Sequence, residues 1–351
     1  MHPEGSTISG EQADQKLVGG APGGVRVRSL IVVGIVSSCI AIALLIVAVD
    51  PSRTLAVIRQ ARPAPLALAV GILVVQVVVR SARWWLLLGN GGDGANVPFG
   101  LVVRALLIGY LGNAAFPARL GEAARAGVVA RAAHRAFGRV LGTVLLERLI
   151  DLVALAVLVL VAAMFAPVPT LVVGIAVTGL SVGIVGGLVL AVLGRRLGER
   201  VSETPVRLRQ RVAAFGRHLL AGALDTSRGV IVSAGLLSVA AWLLEAGLYL
   251  AAAASLGITL QPGSAVIIAA AAALATTLPA APGYVGTYDL AAAAAGVGLG
   301  LDPATAVALA AVVHVMALVP IALAGAAALV IETVSGRSVR FFGASADQRD
   351  R

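Results

Sequence analysis

Six apolar runs govern what this chain can fold into. Residues 29–49, 65–88, 140–165, 170–193, 229–254 and 304–331 each reach or exceed the roughly 20 residues that carry a helix across a bilayer core. Charged residues make up 13% of the sequence and apolar ones 59%, whereas a soluble domain carries about a quarter charged residues. So few charges cannot clothe a surface in water. Lipid is therefore the expected solvent, and the expected class is an all-α polytopic membrane protein.

Other chemistries are poorly served. The lone cysteine, Cys39, lies inside the first run, which excludes an internal disulfide or a cysteine-based metal site. The four histidines have no zinc spacing, and no phosphate loop or nucleophile elbow is present. No metal, no cofactor and no catalytic residue is expected. The formal charge of +10 comes almost wholly from arginine, but those arginines sit in the connections between apolar runs. That is the placement of the positive-inside rule, not of a nucleic-acid surface.

Charge placement sets a topology. Arg26 and Arg28 precede the first run. Arg80 and Arg83 close the second. Arg119, Arg125, Arg131, Arg135 and Arg139 precede the third, and a series from Arg195 to Arg228 fills the stretch between the fourth and fifth. Arg337 and Arg340 follow the last. These clusters share one cytoplasmic side if the six runs cross fully. Arg53, Arg59 and Arg62 are the exception, since they then lie outside. Two further segments, 99–130 and 264–300, are interrupted by Phe116-Pro117 and by Leu278-Pro279-Ala280-Ala281-Pro282-Gly283. Such breaks rule out one straight helix, and each segment must return to its starting side. The predicted fold is six full transmembrane helices plus two re-entrant helical hairpins, arranged as an inverted repeat with halves 29–165 and 170–333. The alternative is eight transmembrane helices. Residues 1–28 read as a disordered cytoplasmic N-terminus and 334–351 as a cytoplasmic tail. The first run lacks a small-residue cleavage site and reads as a retained helix. Inverted repeats with matching broken segments point to a transport site near the midplane.

Three polar clusters are candidates for that site. The first is Asn113, Pro117, Arg119, Gly121, Glu122 and Arg125. A helix started by Pro117 would put Arg119, Glu122 and Arg125 on one face, and its N-terminus would offer backbone donors to an anion such as a lipid phosphate. An ordinary loop with a salt bridge is the competing reading. The second is Glu147, Arg148 and Asp151, inside an apolar run where ionisable groups are costly and face the protein interior or water. It suits either a ligand contact or a structural ion-pair lock. The third combines the breaks Pro279, Pro282, Gly283 and Gly286 with Tyr284, Thr287, Tyr288 and Asp289. There the glycines allow close backbone approach, and Asp289 is placed as a first-turn carboxylate. Glu245 beside Trp242 needs a partner, and His314 reads as a packing residue. Arg80 and Arg83, followed by Trp84 and Trp85, read as snorkelling cations and an interfacial aromatic belt.

With these residues in view, the chain resembles the lysylphosphatidylglycerol-synthase transmembrane-domain family, the flippase-like membrane proteins. Asn113, Pro117, Arg119, Gly121 and Glu122 are similar to that family's N-x-x-x-P-x-R-x-G-E. Glu147, Arg148 and Asp151 are similar to its E-R-x-x-D, and Pro279, Pro282, Gly283 and Gly286 to its P-x-x-P-G-x-x-G. Arg83-Trp84 also looks like a family feature. Asp289 stands where the family usually has Glu. The resemblance covers about residues 30–331 and implies translocation or binding of an anionic phospholipid or a lipid-linked headgroup, such as a polyprenyl-linked lipid. It implies no enzyme activity, since no soluble aminoacyl-transferase domain accompanies the membrane region, and a multi-pass location in a bacterial inner membrane with both termini cytoplasmic. The phosphate would be held by arginines between the two hairpins. The rival is a non-transporting subunit that presents a lipid-linked substrate to a separate synthase or glycosyltransferase.

Overall fold

A computed structural model describes residues 23–89, 97–116, 119–165, 207–277 and 280–334, with scattered positions between 174 and 192. These residues form helices: α1 Gly23–Ala48, α2 Pro51–Arg59, α3 Pro63–Gly89, α4 Phe99–Ala115, α5 Leu120–Ala132, α6 Phe137–Ala163, α7 Arg207–Leu224, α8 Arg228–Ser255, α9 Pro262–Ala275, α10 Thr287–Gly298 and α11 Pro303–Val334. A one-turn 3₁₀ helix, Pro282–Tyr284, precedes α10. Most of the run 170–193 lies outside the described residues, as do Pro117, Leu278, Pro279, the N-terminal segment 1–22 and the tail from 335.

Local sequence accounts for several boundaries. Asp50 caps α2 by accepting the Ser52 N–H at 2.8 Å, and Pro51 occupies the first turn. Ser227 caps α8 in the same way. Helices α3, α8 and α11 are long and apolar enough to cross a membrane, and the bent pair formed by α1 and α2 would make a fourth. With 27 residues α6 is equally long, but Glu147, Arg148 and Asp151 at its centre break its apolar character. The large aliphatic side chains Leu236 on α8 and Leu323 on α11 are 67% and 68% exposed. In water that would be a liability; facing lipid, it is the lowest-energy arrangement.

The element order repeats. A long helix, a short helix, a long helix, a hairpin and a long helix occur in that sequence in the first half. In the second half α7, α8, the hairpin α9/α10 and α11 follow the partly described 174–192 region. The packing repeats too. Helices α3 and α8 lie against each other. The first arm of each hairpin packs on the last helix of the opposite half, α4 on α11 and α9 on α6, and the short helices do likewise, α2 on α11 and α7 on α6. Alanine and glycine make these contacts possible. The core of α8, α9, α10 and α11 is built on Ala246, Ala252, Ala269, Ala292 and Ala308. Small side chains let backbones approach where no hydrophobic effect drives helices together.

The two breaks form as expected, with one correction. The first hairpin does not restart at the proline. Helix α5 begins at Leu120, and its N-cap is Arg119 in the left-handed region at φ 54°. The arms α4 and α5 close on each other through Gly109, Gly112 and Gly121, and Asn113 Oδ1 accepts the Gly121 N–H at 3.0 Å. In the second hairpin Gly286 has φ 87°, and an added Cβ would lie 2.7 Å from the Ser38 carbonyl of α1. Only glycine meets both demands there. Ser38 also accepts the Ala281 N–H through its hydroxyl at 2.9 Å, which anchors the turn to α1.

Candidate functional site

The hairpin tips meet. Arg119, at the break of the first, donates from Nε to the Thr276 carbonyl of the second at 2.9 Å and from Nη2 to the Thr276 hydroxyl. Beside this contact lies a cavity of two lobes, about 230 and 220 Å³. Both lobes are lined by Arg80, Arg119, Arg148, Glu245, Thr276 and Tyr288. Asp151, Trp242 and Thr277 complete one lobe. Tyr110, Asn113, Glu122, Tyr284 and His314 complete the other.

An ion network underlies the floor. Arg83 is 1% exposed and forks between two acids of α6: Nη2 donates to Glu147 Oε1 at 2.6 Å and to Asp151 Oδ2 at 3.1 Å, while Nη1 bonds Asp151 Oδ1. Nη1 also donates to Ser238 of α8 at 2.7 Å. The planar five-donor guanidinium is the one cation shaped for such a double carboxylate contact. Arg125 reaches Glu147 Oε2 at 3.1 Å and stacks over the Trp84 ring at 4.5 Å, and the Trp84 indole donates to Thr143 at 3.1 Å. Nearer the opening, Glu122 Oε1 lies 3.0 Å from Arg148 Nε and 3.6 Å from Arg119 Nη1. Arg148 Nη1 is 3.6 Å from Asp151 Oδ2. On the far wall Glu245 accepts from Gln76 at 2.6 Å and from Arg80 at 3.1 Å, and Arg80 lies over the Trp242 ring at 5.4 Å. Among the described residues these contacts involve five guanidiniums, Arg80, Arg83, Arg119, Arg125 and Arg148, and four carboxylates, Glu122, Glu147, Asp151 and Glu245, with Arg80–Glu245 a separate pair. One positive charge is left over, and three of the arginines face the cavity.

These placements revise the residue-level expectations. Asn113, Arg119, Glu122, Arg148, Asp151 and Tyr284 do gather around one cavity. Arg125 and Glu147 are buried at 2% and 1% exposure and line neither lobe. They belong to the floor. Residues 119, 122 and 125 do not share a face, because Arg119 precedes the helix and six helical residues turn Arg125 a third of a revolution away. No open backbone nest forms at Gly121, since Asn113 takes its N–H. The positive character comes from side chains instead. The reading of Arg83 and Trp84 as interfacial is overturned: Trp84 is fully buried, and Arg83 is the hub of the network. The missed signal was arithmetic. Glu147 and Asp151 exceed Arg148 by one charge, so a buried cation had to come from another helix. Trp85 is 38% exposed, with its indole donating to the Val97 carbonyl. Asp289 is not among the cavity-lining residues. Its Oδ2 accepts the Gly286 N–H at 2.9 Å, so its first-turn role holds, and Oδ1 faces His314. Among the described residues no cluster of His, Cys, Asp or Glu is arranged to hold a metal ion.

The chain is 28% identical over 315 residues to the glycosyltransferase AglD of Haloferax volcanii, an alignment that takes in 75% of this chain and 48% of the relative. The chain thus spans about half the length of the curated relative it matches. The profile of the lysylphosphatidylglycerol synthase TM region matches residues 30–325, which contain all three polar clusters, both hairpins and the cavity, and the chain belongs to that family.

Proposed function

We propose that this protein binds the anionic headgroup of a membrane lipid between its two hairpins and moves it from one leaflet to the other. The observation that carries this reading is a cavity lined by Arg80, Arg119 and Arg148, set on a buried floor where Arg83 and Arg125 outnumber Glu147 by one charge. A phosphate there would balance the charge and accept from forked donors. Arg119 already bridges the tips of both hairpins, so an anion that draws on it alters the contact between them. The proposed topology has six crossings with the hairpins entering from opposite leaflets and both termini cytoplasmic. The lengths of the hairpin arms support it. At 17, 13, 14 and 12 residues each falls short of the roughly 20 needed to cross alone.

Purified protein in liposomes with a headgroup-labelled phosphatidylglycerol tests the reading. Transbilayer movement should exceed that of empty vesicles, and Arg119→Gln and Arg148→Gln should each slow it by about tenfold or more, the worth of one hydrogen bond to a charged group. No movement across anionic, zwitterionic and polyprenyl-phosphate lipids would sink the proposal. The relative's name favours a second reading, in which the same cavity presents a lipid-linked substrate to a glycosyltransferase. On that reading Arg119→Gln lowers glycosyl transfer by the partner while the wild-type chain moves no lipid.

A further inference from the structure

His314, on α11, touches two acceptors. Its Nε2 lies 2.8 Å from the Gly283 carbonyl, and its Nδ1 lies 2.9 Å from Asp289 Oδ1. A carbonyl only accepts, so Nε2 carries a hydrogen. One further proton must then lie between Nδ1 and Asp289, because a bare imidazole nitrogen and an ionised carboxylate would face each other as two acceptors. Asp289 sits in the first turn of α10 and takes the Gly286 N–H on its other oxygen. With that shared proton in place, His314 pins both sides of the second hairpin's turn to α11.

Loss of that proton breaks the Asp289 contact by electrostatics alone. What would then be freed is the wall of the cavity. Gly283, Tyr284 and Tyr288 line the lobe that His314 lines, and the Tyr288 ring is 4.5 Å from the imidazole. We propose that His314 and Asp289 form a proton-binding site whose occupancy clamps the second hairpin, so that proton release opens the cavity wall and couples proton movement to headgroup movement. The coupling rests on the translocation reading above; the clamp does not.

The surroundings leave the pair to act together. The charged groups of this lobe are Arg119 and Glu122 at the first hairpin, Arg148 of α6, and Arg80 and Glu245 of α3 and α8. All are engaged with one another in ion pairs. The remaining titratable groups are phenols: Tyr110 of α4, Tyr284, and Tyr288, which is hydrogen-bonded to Tyr249 at 2.8 Å. Helix α2 meets the core through Val57 and Ile58, with Arg53 and Arg59 exposed. Among described residues α1 presents the Ser38 hydroxyl to the turn.

Asparagine at position 289 separates proton chemistry from packing. Its carbonyl can accept the Gly286 N–H and its amide can donate to a neutral Nδ1, so the clamp keeps every hydrogen bond without the extra proton. Hydrogen–deuterium exchange of the 280–290 segment, in phosphatidylglycerol nanodiscs and corrected for intrinsic amide rates, reads the clamp directly. In the wild type, protection should fall by about tenfold or more between about pH 5.5 and pH 8.5, since one proton of linkage is worth up to tenfold per pH unit. Asp289→Asn should change by less than about twofold over the same range, and His314→Gln should be weakly protected throughout. A wild-type segment insensitive to pH, or an Asp289→Asn variant that keeps the wild-type response, would overturn the site. In liposomes with labelled phosphatidylglycerol, a pH gradient should change the wild-type rate, while the gradient-to-no-gradient ratio for Asp289→Asn stays at one. If lipid moves but exchange is flat, the proton site fails and translocation stands. If exchange behaves as expected but no lipid moves, the site stands and its coupling to translocation fails.

Discussion

Arg83→Ala is expected to cost about 3–5 kcal/mol of stability, the loss seen when one partner of a buried ion pair is removed. The residue is 1% exposed and contacts Glu147, Asp151 and Ser238. Alanine leaves Asp151 with only the partly exposed Arg148, 3.6 Å away, and Glu147 with Arg125. It also opens a void between α3, α6 and α8. The measurement is the unfolding midpoint of purified protein in detergent or nanodiscs, with yield as a second readout. Arg83→Lys should recover part of the loss, because the charge returns but the fork does not. The cause can be isolated. On the Arg83→Ala background Asp151→Asn removes the stranded carboxylate, so the two losses should fall short of additive by roughly 0.5–3 kcal/mol. Full additivity would mean that Arg83 acts by packing and not by charge.

Gly121→Ala should be comparably severe for a different reason. Its Cβ would stand 1.8 Å from the Gly109 carbonyl and within 2.7 Å of Asn113, so the arms of the first hairpin must separate. That breaks the Asn113–Gly121 hydrogen bond and shifts both Arg119, which joins the hairpin tips, and Arg125, which holds Glu147. Overpacking a tight core costs about 1–3 kcal/mol, and the obstacle here is backbone that no rotamer change can clear, so the upper end or beyond is expected. Gly127→Ala, on the same helix, is the control: its nearest neighbour is a Phe137 ring atom at 4.0 Å. That change should be neutral or raise stability by up to about 1 kcal/mol, since alanine favours the helix. Equal losses at 121 and 127 in thermal unfolding would show that the measured cost does not come from the close approach of the arms.

The parts of the fold that could be read from residues were the local ones. Apolar length marked α3, α8 and α11, and proline and glycine marked both breaks. The places where the helices break followed from where proline and glycine fall. Reading the site went half as far. Arg119, Glu122, Arg148 and Asp151 announced themselves as ionisable groups in apolar surroundings, but the sequence placed them beside Arg125 and Glu147 without distinguishing the cavity from its floor. Arg83 was misread because an arginine followed by two tryptophans at the end of an apolar run is also how a membrane interface is written. His314 was placed as a packing residue, and nothing in its neighbours on α11 marks Asp289 or the Gly283 carbonyl as its partners.

By itself, the sequence determined the solvent, the helical class and the positions of the interruptions, because each depends on residues within one or two turns of each other: a run of apolar side chains, a proline that cannot donate, a glycine with no Cβ. Which arginine satisfies which carboxylate was decided only by tertiary structure. Arg83 and Glu147 are 64 positions apart, and Arg119 and Thr276 are 157 apart. A charge in lipid must find a partner, so the existence of such pairs follows from composition. Their identity follows from which helix faces pack together, and with it the cavity that Arg80, Arg119 and Arg148 line.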